Sequence, residues 1–85
     1  MTRAGGGRYE LLSRAGCHLC DEMARLLDEV LPERGLTYAV VDVDRDPVLC
    51  ERWGEVVPVL LRDGAPVAKV RLERRRLERI LSGRR

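Results

Sequence analysis

The sequence predicts an α/β domain in which a four-stranded mixed sheet carries helices on both faces. Three observations indicate this class: an apolar stripe at helical spacing, several short runs rich in β-branched residues, and the hairpin dipeptide Asp63-Gly64 between two such runs. A helix between two strands predicts a parallel pair joined by a crossover, and the hairpin adds an antiparallel strand to the same sheet. The expected element order is β-α-β-α-β-β-α.

The first half of the chain predicts a β-α-β unit. Residues 8–14 form a short mixed run followed by an Ala-Gly pair, which is typical of a strand that ends in a turn. Pro32 and Gly35 indicate where the first helix ends. Residues 36–43 then predict a buried strand, because they are rich in β-branched residues and run into a polar loop. The apolar stripe of the first helix consists of Leu19, Met23, Leu26, Leu27, Val30 and Leu31.

A second, shorter helix is predicted from its end signals. Asp46 and Pro47 are the preferred residues for the N-cap and the first helical position, and Gly54 stands where a C′ glycine is expected after a helix. Leu49 and Trp53 share one face of this helix. Trp53 is therefore expected to anchor the helix to the sheet.

The last third of the chain predicts a hairpin and a final helix. Residues 56–61 indicate a buried strand, and residues 65–70 indicate its hairpin partner, in which Pro66 favours an edge position. The final helix has an apolar face and an arginine-rich face that we expect to be solvated. Its apolar residues are Leu77, Ile80 and Leu81, and its arginines are Arg74, Arg75, Arg76 and Arg79.

Length and charge narrow the function classes. The 85 residues predict a single domain over 1–85, with flexible ends at 1–7 and 82–85. A net charge of +2, from 16 basic and 14 acidic residues, gives no electrostatic reason to expect a nucleic-acid or membrane partner. The first residues lack the apolar core of a signal peptide, so we expect a cytoplasmic protein. We also expect the protein to be a monomer.

The chain has three cysteines, and two of them are spaced as a redox pair. Cys17 and Cys20 form a Cys-His-Leu-Cys motif at a predicted strand-to-helix junction. Cys-x-x-Cys beside a β-α-β pattern indicates a thioredoxin-like dithiol, although the same spacing supplies half of a zinc site. Cys50 has no partner at motif spacing and is expected to pack as a small apolar residue.

The cysteine placement suits thiol-disulfide exchange. Cys17 stands at the predicted start of a helix, where unpaired backbone N–H groups and the helix dipole stabilise a thiolate. We therefore expect Cys17 to attack a disulfide and Cys20, one turn further, to resolve the mixed disulfide. A protonated His18 would further favour the Cys17 thiolate. A solvent-facing His18 with little influence is the alternative.

Taken together, the motifs resemble those of the glutaredoxin-like branch of the thioredoxin superfamily. The resemblance runs from Tyr9 to Leu81 and rests on the Cys-His-Leu-Cys motif, the Val57-Pro58 pair near the third strand, and the Asp-Gly hairpin before the last helix. It implies the thioredoxin fold and a thiol-disulfide oxidoreductase activity. It also implies that Pro58 is cis and faces the dithiol, so that Val57 and Pro58 are expected to contact the substrate. His18, which lies between the two cysteines, is expected to contact the substrate as well.

The resemblance has one departure that concerns cofactors and partners. Glutathione-using glutaredoxins carry a Gly-Gly pair after the hairpin and an Asp near the last helix, whereas residues 70–74 here read Val-Arg-Leu-Glu-Arg. We expect no bound cofactor, and glutathione stays open as a reductant or substrate. The expected partners are a disulfide-containing protein or small molecule and a thiol reductant or reductase. A metal or iron-sulfur module and a redox-inactive interaction module are the alternative functions.

Overall fold

The computed structural model describes residues 8–82 and confirms the predicted element order. The predicted flexible ends lie outside the described residues, except for Ser82. Two short 3₁₀ helices, Pro32–Arg34 and Val43–Arg45, join the main elements. The main elements are β1 (Tyr9–Ser13), α1 (His18–Val30), β2 (Tyr38–Asp42), α2 (Pro47–Trp53), β3 (Val59–Arg62), β4 (Ala65–Lys69) and α3 (Arg74–Leu81).

The four strands form one mixed sheet in the order β2-β1-β3-β4. β1 is parallel to β2, with Ser13 opposite Asp42. β3 is antiparallel to β1, with Val59 opposite Leu12, and β4 is antiparallel to β3, with Lys69 opposite Val59. The ends of β1, β2 and β4 and the start of β3 therefore meet at one edge of the sheet. We call this edge the dithiol edge, because β1 leads from it into the cysteine motif.

Helices cover both faces of the sheet, as predicted. Strand alternation sends Tyr9 and Leu11 of β1 into one core and Leu12 into the other. The first core packs β1, β3 and β4 against α1 and α3, with buried residues Tyr9, Leu11, Met23, Leu27, Val30, Leu31, Leu60, Ala68, Leu77 and Leu81. The second core lies on the α2 side of the sheet, and its buried residues are Leu12, Val43 and Val59. Partly buried apolar residues pack against them, among them Leu49, Trp53 and Val57. Trp53 thus anchors α2 to the sheet.

Two strand predictions are wrong in burial or extent. Residues 36–43 were expected to be a buried strand, but β2 lies at a sheet edge, and Val40 is 61% exposed. The β-branched composition indicated a strand correctly without specifying its neighbours. Residues 56–61 were expected to be extended throughout, whereas β3 begins only at Val59. Pro58, which has no N–H group to donate to a neighbouring strand, immediately precedes β3.

The end of α2 also differs from the prediction. The helix spans Pro47–Trp53 as expected, and the Asp46 carboxylate caps it by accepting from Val48 N–H at 3.0 Å. Gly54, however, has a right-handed conformation with φ of −56° rather than that of a C′ glycine. A β-carbon at Gly54 would lie 2.5 Å from the Cys50 carbonyl oxygen, so close backbone approach is the reason for glycine.

Ion pairs of Arg74 attach the final helix to the end of α1. Arg74 pairs with Glu78 one turn later at 3.1 Å, in line with a solvated charged face. Arg74 also contacts Glu33 at 3.0 Å and Glu29 at 3.6 Å, which belong to the end of α1 and the 3₁₀ helix after it. The arginine-rich face therefore also joins α3 to α1.

Candidate functional site

Cys17 is positioned by the turn that joins β1 to α1. Gly16 has a φ of +74°, a left-handed conformation that glycine adopts without strain and that brings the chain from the strand into the helix. Cys17 is the N-cap of α1, and its Sγ accepts a hydrogen bond from the Cys20 N–H at 3.1 Å. The sulfur thus occupies the place of the oxygen that usually caps a helix.

The two cysteines differ in accessibility. Their sulfurs lie at disulfide-bonding distance, with the Cα atoms 5.2 Å apart. Cys17 is partly exposed, whereas Cys20 is 1% exposed and packs behind it. A disulfide substrate in solution can therefore reach Cys17 but not Cys20. The separate roles predicted for Cys17 and Cys20 require such an asymmetry, and the roles themselves stay a prediction.

His18 lies beside the dithiol and faces away from the protein. Its side chain is 78% exposed, and its Nε2 lies 2.8 Å from Oε2 of Glu22 on the next turn of α1. A protonated His18 would form an ion pair with Glu22 in this position. The predicted influence of His18 on the Cys17 thiolate and on substrate stays a prediction.

The Val57-Pro58 pair lies at the dithiol edge. The register of β3 against β1 places Val59 beside Leu12, so the residues before Val59 are level with the loop that leads to Cys17. The Val57-Pro58 peptide bond is cis, as the family resemblance implied. Pro58 is buried, and its carbonyl accepts a hydrogen bond from Val70 N–H at 2.7 Å. Contact of the pair with substrate stays a prediction.

Arg14 joins three loops at the dithiol edge, a role that sequence analysis missed. Its guanidinium donates to both carboxylate oxygens of Asp44, at 2.6 and 3.3 Å, and to the Gly54 carbonyl at 2.7 Å. Hydrogen bonding to Asp44 raises the pKa of Arg14 above its usual value. These partners lie 30 and 40 residues away, so no local sequence signal indicates them. Asp44 also accepts a hydrogen bond from the Cys50 thiol at 3.7 Å.

Cys50 therefore does not pack as the small apolar residue that the sequence predicted. It is half-buried, and its thiol faces the carboxylate of Asp44 rather than the core. The second core beside α2 is filled by the larger side chains of Leu49 and Trp53 from the same helix. Cys50 is the only described cysteine outside the Cys17-Cys20 pair.

A groove of about 260 Å³ lies next to the dithiol, between α1 and the segment that joins β4 to α3. We call it the α1-α3 groove. Leu19, one of the two residues between the cysteines, forms part of the groove wall. Its lining residues are Leu19, Glu22, Met23, Leu26, Val70, Arg71, Leu72 and Glu73.

Residues 8–82 hold neither a cluster of metal ligands nor a membrane-spanning helix. Within this range, no three His, Cys, Asp or Glu side chains cluster closely enough to hold a metal ion. No helix in the same range is long and apolar enough to cross a membrane.

A Cys-x-x-Cys pair at the start of α1, beside a sheet of order β2-β1-β3-β4, defines a protein of the thioredoxin fold. A thioredoxin mutant from Halobacterium salinarum has this fold at a TM-score of 0.65 and 20% identity, over 93% of this chain and 75% of that chain. Residues 8–82 match the family described as Glutaredoxin-like domain (DUF836), and the chain belongs to this family.

The chain is also similar to proteins from several bacteria. A structural-genomics target protein from X. campestris superposes with a TM-score of 0.76 at 28% identity, covering 91% of this chain and 99% of its own. Protein Ne2328 of Nitrosomonas europaea gives a TM-score of 0.77 at 21% identity, covering 94% and 96%. The uncharacterized protein Rv0508 of Mycobacterium tuberculosis is 39% identical over an alignment of 62 residues that covers 67% of this chain. The match spans 64% of that relative's length.

Proposed function

We propose that this chain is a thiol-disulfide oxidoreductase that uses Cys17 as nucleophile and Cys20 as resolving thiol. The observation that carries the proposal is the asymmetry of the pair: a partly exposed Cys17 sulfur receives the Cys20 N–H at the start of α1, and Cys20 is buried behind it. The N–H group and the helix dipole favour negative charge on Cys17, which is the form that attacks disulfides.

The proposed reaction begins with the reduced pair. The Cys17 thiolate attacks one sulfur of the substrate, so that the substrate S–S bond breaks and a Cys17-substrate disulfide forms. The first substrate sulfur leaves as a thiolate and takes a proton from solvent. Cys20, deprotonated, then attacks the Cys17 sulfur, which releases the second substrate thiol and leaves the Cys17-Cys20 disulfide. The substrate gains two electrons and two protons, and the pair loses them.

Recharging the pair requires a second thiol partner. Two thiol groups of a reductant, or the dithiol of a reductase, supply two electrons and two protons and become a disulfide themselves. We propose the cytoplasm as the setting, because thiol reductants there keep such pairs reduced. We further propose that the protein acts as a monomer and that Val57, Pro58 and His18 contact the substrate segment next to its disulfide.

Cysteine variants test the assignment through turnover of a fluorogenic disulfide-linked peptide, with dithiothreitol as the reductant. We expect Cys17→Ser to lower the rate to that measured without protein, because the nucleophile is lost. With the peptide disulfide and no dithiothreitol, Cys20→Ser should accumulate a Cys17-peptide disulfide, visible by mass spectrometry as a gain of one peptide thiol less two hydrogens. Cys50→Ser is the matched control, since it removes a cysteine that does not belong to the pair. It should keep the wild-type rate.

A Cys17→Ser protein that turns over the peptide as fast as wild type would exclude Cys17 as the nucleophile. Freshly purified protein that contains stoichiometric zinc or iron, loses the metal in Cys17→Ser and reduces no disulfide would instead support the metal-binding alternative.

A further inference from the structure

Val70 has a backbone conformation that is exceptional for a β-branched residue. Its φ is +67°, in the left-handed region that glycine favours. The Arg71 N–H donates to the Lys69 carbonyl at 2.7 Å, which closes a three-residue turn centred on Val70. An i to i+2 hydrogen bond around a residue of positive φ is the rare, strained form of the γ-turn. The surrounding contacts hold Val70 in this strained turn.

One of these contacts joins the turn to the Val57-Pro58 segment. The Val70 N–H donates to the Pro58 carbonyl at 2.7 Å, while the Arg71 N–H is used within the turn itself. Two successive backbone N–H groups beside the dithiol edge are therefore already paired. Because they are paired, this turn does not offer them to the carboxylate of a bound ligand.

The side chains of the α1-α3 groove favour an apolar ligand over an anionic one. Val70 is 37% exposed although it is apolar. Leu19, Met23, Leu26 and Leu72 also line this groove. The charged lining residues are two acids, Glu22 and Glu73, and one base, Arg71. Glutathione has two carboxylates and one ammonium group, so its net charge is negative, as is that of a groove with two acids and one base. The net repulsion opposes the binding of glutathione, whereas an uncharged apolar side chain meets no such repulsion.

We propose that Val70 is a specificity-determining residue that directs the dithiol toward protein disulfides flanked by an apolar residue, in preference to glutathione disulfide. The proposal rests on the proposed function and names its substrate class. Leu19, which lines the groove, is adjacent to Cys20 and two residues after Cys17. The groove therefore lies close enough to the dithiol for the neighbour of an attacked cysteine to reach it. The strained turn keeps the Val70 side chain at the groove, where it buries apolar surface of that neighbour.

Peptide disulfides that differ in one residue test this assignment. Two symmetric disulfides, of the peptides acetyl-Leu-Cys-amide and acetyl-Asp-Cys-amide, and glutathione disulfide are compared by kcat/KM with dithiothreitol as the reductant. The proteins are wild type, Val70→Gly and Val70→Ala, with Val48→Ala as the matched control. Val48 is a 70% exposed valine on α2 outside the α1-α3 groove.

We expect wild type to prefer the leucine peptide over the aspartate peptide and over glutathione disulfide by about tenfold, the discrimination typical of a small apolar contact. Val70→Gly and Val70→Ala should each reduce this preference severalfold, mainly through KM for the leucine peptide. Val48→Ala should keep the wild-type preference. Two substitutions are used so that a change of turn conformation in Val70→Gly can be separated from loss of the side chain.

Three results would contradict the inference, and they differ in their meaning. If wild type turns over all three disulfides equally, or prefers glutathione disulfide, the specificity assigned to the groove is wrong while the Cys17 chemistry stands. If both Val70 variants keep the wild-type preference, Val70 does not determine it. If wild type reduces none of the disulfides faster than Cys17→Ser does, the proposed function fails and the inference fails with it.

Discussion

At the scale of single residues, Cys17 combines a structural and a chemical task. Helix N-caps are usually oxygen-bearing side chains that accept a backbone N–H. Here the Cys17 sulfur accepts the Cys20 N–H, so the group that caps α1 is also the group proposed to attack a disulfide. A thiolate accepts a hydrogen bond more strongly than a bonded sulfur, because the acceptor is charged. The helix start therefore favours the reduced, charged form of Cys17.

The backbone strain at Val70 can be tested through the free energy of unfolding of a glycine variant. A non-glycine residue at positive φ costs about 1–3 kcal/mol, and Val70→Gly would remove this strain from the folded state. Glycine also gives the unfolded chain more conformational freedom, which offsets about 0.5–1 kcal/mol of that stabilisation. We expect Val70→Gly to raise the free energy of unfolding by roughly 1 kcal/mol, measured by urea denaturation.

The matched substitution Val48→Gly replaces an exposed valine inside α2, where glycine disfavours the helix. It should lower the free energy of unfolding by a few tenths of a kcal/mol up to about 1 kcal/mol. A Val70→Gly protein that is destabilised as much as Val48→Gly would show that the turn at Val70 stores no strain.

The sequence predicts the cysteine pair but not its surroundings. Cys17 and Cys20 are found from a spacing within four residues and from the end signals of one helix. The turn at Val70 is bonded to Pro58, which is 12 residues earlier in the sequence, and the hydrogen bonds of Arg14 also depend on partners far along the chain. Neither leaves a local pattern, so only the folded structure reveals them.

At the scale of elements, Tyr38 joins β2 to α1. Its hydroxyl donates to Asp28 Oδ1 at 2.9 Å and lies 3.4 Å from the Ala24 carbonyl oxygen. Burial, with the Asp28 hydrogen bond, raises the pKa of Tyr38 from 10.0 to about 12. β2 is an edge strand with one neighbour, so this side-chain bond adds to its attachment. The attachment of β2 to α1 through this hydrogen bond is therefore expected to depend on the protonation state of Tyr38.

The raised pKa sets the direction of a pH effect. In the unfolded chain Tyr38 ionises near pH 10, whereas in the folded protein it stays neutral up to about pH 12. Its contribution to stability is present in full below pH 10 and is lost as the pH rises toward 12. We expect Tyr38→Phe to be less stable than wild type by about 1 kcal/mol at neutral pH, the usual worth of one hydrogen bond.

The measurement is urea denaturation of wild type and Tyr38→Phe at pH 8, 10 and 12. The difference between the two proteins should narrow from pH 10 upward, because only wild type loses this contribution. A difference that stays constant up to pH 12 would show that the Tyr38 hydroxyl ionises at the same pH in both states. Tyr9 is present in both proteins, so its own titration cancels in the comparison.

Element types follow from local signals, whereas their neighbours do not. The caps at Asp46 and Pro47 and the hairpin at Asp63-Gly64 are decided within a few residues, and the structure confirms the elements they predict. The exposure of β2 depends on which strands pair, which is a property of the whole sheet. For the same reason its β-branched composition indicated a strand correctly and a buried position wrongly.

At the scale of the whole molecule, the strand order places the proposed chemistry. Because β1 runs parallel to β2 and antiparallel to β3, the cysteine motif, the Arg14-Asp44 pair and the Pro58 segment all meet at the dithiol edge. The two cores hold the sheet from both faces. The fold thereby brings three chain segments to the same edge of the sheet as Cys17.

The redox state of the Cys17-Cys20 pair tests the central claim most directly. The protein is equilibrated in a series of defined glutathione and dithiothreitol buffers, and each cysteine is assigned as thiol or disulfide by alkylation and mass spectrometry. We predict one reversible transition confined to Cys17 and Cys20. The ratio of dithiol to disulfide should change tenfold for every ~30 mV of buffer potential, as expected for two electrons, and the Cys50 thiol should stay unchanged. Absence of a reversible transition, or one that pairs Cys50 instead, would contradict a dithiol function for this site.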